Sequence, residues 1–290
     1  LPEDLRKRIP VSLHPVIDPA ICIGSGSCVA ACPEGKILRI HDGHAHLVQP
    51  ESCIGHGMCE RECPVGAITL VFGTGQRGID IPHVSGVFET NVPGIFIAGE
   101  LGGMGLIRNA VNQGTQAMRH IGKQGRSKDP EVLDVVVVGS GPAGLAGALI
   151  AQELGLRFEV LEQEPTIGGT VAHYPRKKVV MLGALEIPGL PRIRTREMSK
   201  EALMEVWQQA VDAGGLEVRC GVRMEALSSD GKVITVRTSA GDRRARHVLL
   251  AIGRRGSPRK LGVDGEALPK VAYALREPEE WAGSKVLVVG

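Results

Sequence analysis

The sequence predicts an α/β fold with a parallel sheet, preceded by a small α+β domain built around cysteines. Three observations carry this. A cysteine pattern occurs twice near the N-terminus, an apolar strand runs into a glycine-rich turn and a helix near the middle, and a strand–helix pair lies between the two. The 290 residues suit about two domains at ~150 residues each. Apolar residues make up 43% and charged residues 23%, a balance that can bury a real core and argues against disorder. Lys+Arg at 34 against Asp+Glu at 32 leave a net charge of +2, so no global field recruits nucleic acid. With Phe 4, Trp 2 and Tyr 2, aromatic residues are too sparse for a base-stacking surface. No apolar run reaches the ~18 residues of a membrane span, and no signal peptide is visible. Glycine is in surplus, 39 residues, as chain that bends tightly around cofactors requires.

The N-terminal domain rests on a repeat. Cys22-Ile-Gly-Ser-Gly-Ser-Cys28-Val-Ala-Ala-Cys32-Pro33 recurs as Cys53-Ile-Gly-His-Gly-Met-Cys59-Glu-Arg-Glu-Cys63-Pro64, each cysteine 31 residues later. Without a secretory signal, these cysteines read as ligands rather than disulfides. Zinc favours C-x2-C knuckles, and neither run has one. The spacing resembles the two-cluster bacterial ferredoxin run C-x2-C-x2-C-x3-C-P, in which the fourth cysteine ligates the other cluster. Carried onto this sequence, the resemblance groups Cys22, Cys28 and Cys63 in one site and Cys53, Cys59 and Cys32 in the other.

Each run departs from that pattern at its second cysteine, which is Ser25 in the first and His56 in the second. Three thiolates can hold a [3Fe-4S] cluster. Alternatively, a serine oxygen or an imidazole could complete a [4Fe-4S] cluster, and imidazole would raise the potential as in Rieske centres. Both readings stand at this point. Between the runs, Asp42-Gly43 marks a hairpin whose His41, His44 and His46 read as a solvated face rather than a metal site. Ala67–Phe72 supplies a closing strand.

The segment Glu89-Thr90-Asn-Val-Pro93-Gly94-Ile-Phe-Ile-Ala-Gly99-Glu100 leads into a helix over Leu106–Ile121. It is followed by a linker over Gln124–Pro130. Then comes a buried strand over Leu133–Val138, entering Gly139-Ser140-Gly141-Pro142-Ala143-Gly144, a helix from Leu145, a second strand over Arg157–Leu161, and Glu162. Glu162 lies 18 residues past Gly144, near the ~20 expected of the acid that holds a nucleotide ribose. Glycines at the turn let the backbone approach a pyrophosphate at the helix N-terminus.

The continuation Glu162-Gln163-Glu-Pro-Thr-Ile-Gly-Gly169-Thr170 resembles the flavin domain of two-dinucleotide-binding flavoproteins. So does the strand–glycine stretch Val248-Leu-Leu-Ala251-Ile-Gly253. Residues 133–290 resemble the thioredoxin-reductase-like family, in its bacillithiol-disulfide-reductase-like branch. The resemblance implies that FAD is held by Gly139, Ser140, Gly141, Pro142, Ala143, Gly144, Glu162, Gln163, Gly169, Thr170, Ala251 and Gly253. In that family the motif T-x-x-P-G-I-F-A-x-G-D with its helix closes the flavin domain at the C-terminus. Here its counterpart, with Gly99 and Glu100, precedes the glycine turn, so the flavin domain is expected to be circularly permuted, which folded contacts allow. Glu100 stands where the family has an aspartate on the flavin ribitol.

The expected fold is thus a Rossmann-like two-dinucleotide-binding flavoprotein with an N-terminal ferredoxin-like domain. Residues 1–72 form the cluster domain, 73–126 the permuted strand–helix motif, 127–280 the FAD domain and 281–290 the start of an NAD(P)H domain. Leu1 and the last ten residues, Trp281–Gly290, which read as an apolar strand that reaches its first glycine and stops, suggest a cut chain. Met198–Ala213 reads as an amphipathic helix with Leu203, Val206, Trp207 and Ala210 inward, and lone Cys220 as a core residue. Tyr174 is a candidate flavin cover, and Arg176-Lys177-Lys178 a solvated loop.

Two iron–sulfur clusters, FAD and NAD(P)H form an electron path, because hydride carries two electrons that a flavin can pass on singly. The layout is similar to the glutamate synthase small subunit and related ferredoxin–flavin reductases. The expected function is an NAD(P)H-dependent iron–sulfur flavoprotein oxidoreductase serving a ferredoxin-like partner or another subunit. It would be cytoplasmic or at the membrane's cytoplasmic face, a homo-oligomer or complex subunit. Disulfide reduction is the alternative, weakened because Pro142-Ala143 replaces the cysteine of that family's first turn. A redox sensor or docking subunit without steady turnover is the third reading.

Overall fold

The computed structural model describes residues 14–50, 53, 55, 57–71, 82, 84–102, 106–182, 185–195, 197–254, 260–275 and 277–289. Its elements in chain order are β1 (His14–Ile17), α1 (Ser27–Ala31), β2 (Leu38–His41), β3 (His44–Leu47), α2 (Met58–Arg61), β4 (Ile68–Val71) and β5 (Ile95–Ile97). There follow α3 (Ile107–Lys123), β6 (Leu133–Val138), α4 (Pro142–Glu153), β7 (Phe158–Glu162), β8 (Val179–Met181) and β9 (Glu197–Ser199). The last are α5 (Lys200–Gly214), β10 (Val218–Cys220), β11 (Met224–Ser229), β12 (Ile234–Thr238) and β13 (Arg243–Leu250).

In the N-terminal part, β1 and β4 pair antiparallel, and β2 and β3 form the expected hairpin. Its turn residues Asp42 and Gly43 have φ of 48° and 78°, both left-handed, which matches the strands' twist. The short helices α1 and α2 each begin after a glycine in the left-handed region, Gly26 and Gly57.

The larger part is a seven-stranded mixed sheet, six strands in the order β10-β7-β6-β13-β12-β11 and β5 beside β13. Val135–Val138 of β6 are buried, as befits a central parallel strand covered on both faces. The early half of β13 pairs antiparallel with β12, Ala245 opposite Ile234. Beyond it, Val248–Leu250 take β5 as a parallel neighbour, Val248 opposite Ile95. The strand preceding the cavity-lining Gly99 thus lies in the same sheet as the strand preceding Gly139.

Helix α4 begins at Pro142, three residues before the expected Leu145, because proline suits the first helical position. It is buried from Ala143 through Ala151, between the sheet and the neighbouring helices α3 and α5. Small side chains make this possible. A Cβ at Gly114 of α3 would overlap the Ala143 carbonyl oxygen, so the two helices touch backbone to backbone. Ser199 caps α5, its Oγ accepting from Ala202 N at 3.2 Å. Leu203 and Trp207 are fully buried, each contributing about 1.5–3 kcal/mol, and Val206 is half-buried against the same core.

One hydrophobic core runs through both parts, from Ile37, Leu38 and Cys59 through Phe88 and Phe96 to Met118 and Leu145. The linker after α3 is pinned rather than loose. Arg157 donates to the carbonyls of Ser127, Asp129, Pro130 and Val132, and buried Asp134 accepts from Ser127 N at 2.6 Å.

Two expectations need correction. Cys220 is exposed, because β10 is an edge strand whose sole neighbour in the sheet is β7. The run Lys285–Val289 is not a strand. It has no ladder partner among the described residues, and Leu287 and Val288 are 86% and 84% exposed. A parallel strand exists only through its neighbours, which apolar composition alone does not supply. Among the described residues, no helix is long and apolar enough to cross a membrane.

Candidate functional site

A cavity of about 700 Å³ opens at the C-terminal ends of the parallel strands, a size suited to a cofactor. Its wall joins residues far apart in sequence: Gly99, Glu100 and the start of α3 on one side, Gly139, Gly141, Pro142 and Ala143 on another. Glu162, Gln163, Gly169, Thr170, Ala251 and Gly253 also line it.

Ser140 and Gly144 do not line the cavity; they build it from behind. Ser140 is fully buried, and its N and Oγ each donate to Glu162 Oε2 at 2.7 Å. Glu162 Oε1 accepts from Glu164 N at 3.0 Å, so the carboxylate is held on both oxygens. Gly144 packs where a Cβ would overlap the Gly139 carbonyl oxygen. The free N–H groups at the start of α4 and its dipole favour an anion there.

The Thr90–Glu100 segment has its own local logic. Thr90 Oγ1 bonds with Val92, and Gly94 N donates to Glu89 Oε1 at 2.8 Å, closing a turn that aims β5 into the sheet. Gly94 has φ 83°, and a Cβ there would lie 2.9 Å from Arg246 O. Gly99 N donates to buried Gln113 Oε1 at 2.8 Å, which locks the strand end onto α3. Tyr174 lines the same cavity, and burial, then the Glu100 charge, pushes its hydroxyl pKa up.

Sequence reasoning missed several lining residues: Ile107, Ala110, His173, Val222, Met224 and Arg254. Ile107 and Ala110 belong to the helix after the Thr90–Glu100 motif, and His173 and Arg254 flank the resembling stretches, whereas Val222 and Met224 carry no motif and reach the cavity only through the packing of their elements. Arg176 and Lys177 of the basic loop pair with Glu277 and Glu279, at 3.6 and 3.2 Å.

The cysteines gather in two sets. Cys22, Cys28 and Cys63 surround one small void together with Ser25, and Cys32, Cys53 and Cys59 surround another. His56 lies outside the described residues. Backbone N–H groups point at two sulfurs, Ala45 N to Cys22 Sγ at 3.3 Å and Ala67 N to Cys63 Sγ at 3.2 Å. Burial pushes the Cys28 and Cys53 thiols up, and burial with the neighbouring Cys53 raises Cys59 to about 12. Such thiols become thiolates only beside a strong positive charge, which iron would supply. Among the described residues, no three His, Cys, Asp or Glu side chains converge to hold a single metal ion. In the hairpin, His41 packs edge-on against His46 at 6.0 Å and pairs with Asp42, while His44 Nδ1 lies 3.1 Å from the Cys22 carbonyl oxygen.

The pyridine nucleotide-disulphide oxidoreductase family model matches residues 136–290, more than half of the chain. The chain belongs to that family. A 4Fe-4S dicluster domain model matches residues 14–64, so this family member carries an iron–sulfur domain ahead of its oxidoreductase domain. A ferredoxin–NADP reductase of Ignicoccus hospitalis is 34% identical over 158 residues, covering 54% of this chain and 48% of that protein. A ferredoxin–NADP reductase of Lactococcus lactis is 30% identical over 164 residues, covering 54% and 48%. The chain spans about half the length of these relatives. Among solved structures, bacillithiol disulfide reductase from Bacillus cereus is similar with a TM-score of 0.46 at 26% identity, over 51% of this chain and 48% of that one.

Proposed function

We propose that this chain is an iron–sulfur flavoprotein oxidoreductase. It would move electrons between NAD(P)H, FAD and two iron–sulfur clusters, to or from a redox protein such as a ferredoxin. The observation that carries this reading is the single cavity shared by the Gly139–Gly144 turn and Gly99–Glu100, set in one core with the two cysteine trios. FAD, when bound, would accept two electrons from a nicotinamide and release them singly to the clusters.

The chain's own residues have separable tasks. The Gly139–Gly141 backbone and the start of α4 would receive the pyrophosphate. Glu162, fixed by Ser140, would take the ribose, and Glu100 the ribitol. The N-terminus of α3 would stabilise negative charge at the ring. Cys22, Cys28 and Cys63 would hold one cluster, and Cys32, Cys53 and Cys59 the other.

The reading includes a circularly permuted flavin domain, with 73–126 as the moved strand–helix and 127–280 as the remainder. The parallel pairing of β5 with β13, and the close contact of Gly114 with Ala143, support it. Disulfide reduction fits less well, since Pro142 and Ala143 occupy the family's cysteine place and Cys220 stands alone outside the cluster domain.

The test uses the full-length protein. Flavin, iron and sulfide are quantified, and turnover with NADPH or NADH is compared between a ferredoxin and a low-molecular-weight disulfide. Flavin and iron with ferredoxin turnover support the reading; disulfide turnover alone would replace it.

A further inference from the structure

The basic run Arg176-Lys177-Lys178 divides its charges between two kinds of partner. Arg176 and Lys177 pair with the carboxylates of Glu277 and Glu279. Lys178 has no carboxylate partner among the described residues. Its Nζ lies instead over the Tyr174 ring, 4.4 Å from the ring centre. That is inside the ~6 Å reach of a cation–π contact.

The backbone fixes this arrangement. Lys177 takes a left-handed φ of 60°, its N–H donating to Glu201 Oε1 at 3.0 Å, and Lys178 N donates to the Pro175 carbonyl at 3.1 Å. The chain thus turns back between Tyr174 and Lys178, which brings the ammonium over the ring. Strand β8 begins at the next residue and pairs with β9, Val179 opposite Ser199. Lys200 follows Ser199. Its N donates to the Lys178 carbonyl at 2.9 Å, and its Nζ donates to the Tyr174 carbonyl at 2.9 Å. One ammonium therefore holds the Tyr174 main chain while a second covers its ring.

Tyr174 lines the large cavity together with Glu100, Gly141 and Thr170, and Lys178 does not. The ring stands between the Lys178 charge and the cavity. Burial and the Glu100 charge push the Tyr174 hydroxyl pKa up, so the phenol stays neutral and carries no charge of its own. Glu100 and Lys178 thus act on the same wall with opposite signs. Lys178 is exposed on its outer side, so water screens its charge in part.

We propose that Lys178 is a positioning residue for flavin reduction. Through the Tyr174 ring it places a positive charge at the cavity wall and makes the bound flavin easier to reduce. The inference rests on the flavin reading above. Hydride from NAD(P)H brings two electrons and one proton to a neutral flavin, leaving NAD(P)+ and a reduced ring with one negative charge. A nearby cation favours that anion over the neutral oxidised ring, and tighter binding of the reduced form is a higher midpoint potential. Lys178 offsets Glu100, which acts in the opposite sense, and Lys200 keeps Tyr174 in place.

The experiment uses full-length protein with its flavin. The midpoint potential of the bound FAD is measured by anaerobic spectroelectrochemistry in the wild type, Lys178→Met, Lys178→Gln and Lys178→Arg. Methionine and glutamine remove the charge, while arginine keeps it and can lie flat on the ring. The potential is expected to fall in Lys178→Met and Lys178→Gln. The fall corresponds to about a three- to tenfold lower ratio of reduced to oxidised flavin at a fixed applied potential. Lys178→Arg should stay at the wild-type value. A purely structural lysine would weaken both redox forms alike, lowering flavin content without moving the potential. The proposal is overturned if the potential is unmoved in Lys178→Met and Lys178→Gln, or if Lys178→Arg falls as far as they do. It is also overturned if both neutral variants lose their FAD, which marks a structural role. Absence of FAD from the wild-type protein would instead overturn the flavin reading itself.

Discussion

Arg108 and Glu34 form an ion pair at 2.7 Å that joins the flavin half of the chain to the cluster half. Glu34 follows Cys32 by two residues, and Arg108 lies in the first turn of α3, whose start lines the large cavity. Both side chains are 27% exposed, so solvent screens the pair only in part. Its place two residues from Cys32 ties the Cys32–Cys53–Cys59 site to the helix that lines the cavity.

Breaking this pair should loosen the tie without disturbing the cavity itself. Arg108→Gln or Glu34→Gln is expected to cost about 0.5–1 kcal/mol in chemical denaturation. The exchanged pair Arg108→Glu with Glu34→Arg should recover part of that loss. An unchanged midpoint in both single variants would show that the shared hydrophobic core alone holds the halves together.

The close approach of α3 and α4 gives a sharper test of the proposed permuted arrangement. Gly114→Ala places a methyl group on the Ala143 carbonyl, and Ala143 belongs to the glycine turn. Overpacking of this kind costs about 1–3 kcal/mol, and it should also weaken FAD binding because the turn must shift. Thermal melts and flavin retention on gel filtration would measure both. A variant with wild-type flavin content and melting temperature would contradict the account.

His247 predicts an acid limb in stability. It is 4% exposed, neither ring nitrogen has a hydrogen-bond partner among the described residues, and Phe96 lies edge-on at 6.0 Å. Burial, followed by the charge of Arg246, lowers its pKa from 6.5 to about 4, with Glu89 and Asp134 opposing. The unfolded chain therefore binds the proton more readily than the folded one. Stability should be full above about pH 6.5 and decline by up to a few kcal/mol as pH falls toward 4. Urea midpoints across that range should show the decline in the wild type and a flatter profile in His247→Leu.

Cys220 should be chemically quiet despite its exposure. Its pKa is raised by desolvation and by the nearby Glu162, the reverse of an activated thiol. Alkylation at neutral pH is expected to be slower than for a free thiol. Cys220→Ser should leave electron transfer to a ferredoxin unchanged, and a large loss would return attention to disulfide chemistry.

These features differ in how far they could be read from the chain. The β6–turn–α4–β7 unit was legible because its signals are local: apolar strand, glycine spacing, acid. The Asp42–Gly43 turn was legible for the same reason. The place of β5 beside β13 is a tertiary relation, and only the Thr90–Glu100 motif hinted at it. The exposure of Cys220 depends on β10 being an edge strand, which its residues do not encode. The Arg108–Glu34 pair spans 74 residues and has no sequence signature at all. At the C-terminus, four apolar residues in a row suggested a strand, but a strand needs neighbours to pair with.

The proposed function requires one electron path from nicotinamide through flavin to the clusters. An anaerobic titration of the full-length protein with NADPH and with NADH tests it, following flavin absorbance and cluster EPR together. One nucleotide is expected to bleach the flavin and reduce the clusters in the same titration. Flavin bleaching with clusters that stay oxidised, even though dithionite reduces them, would contradict it.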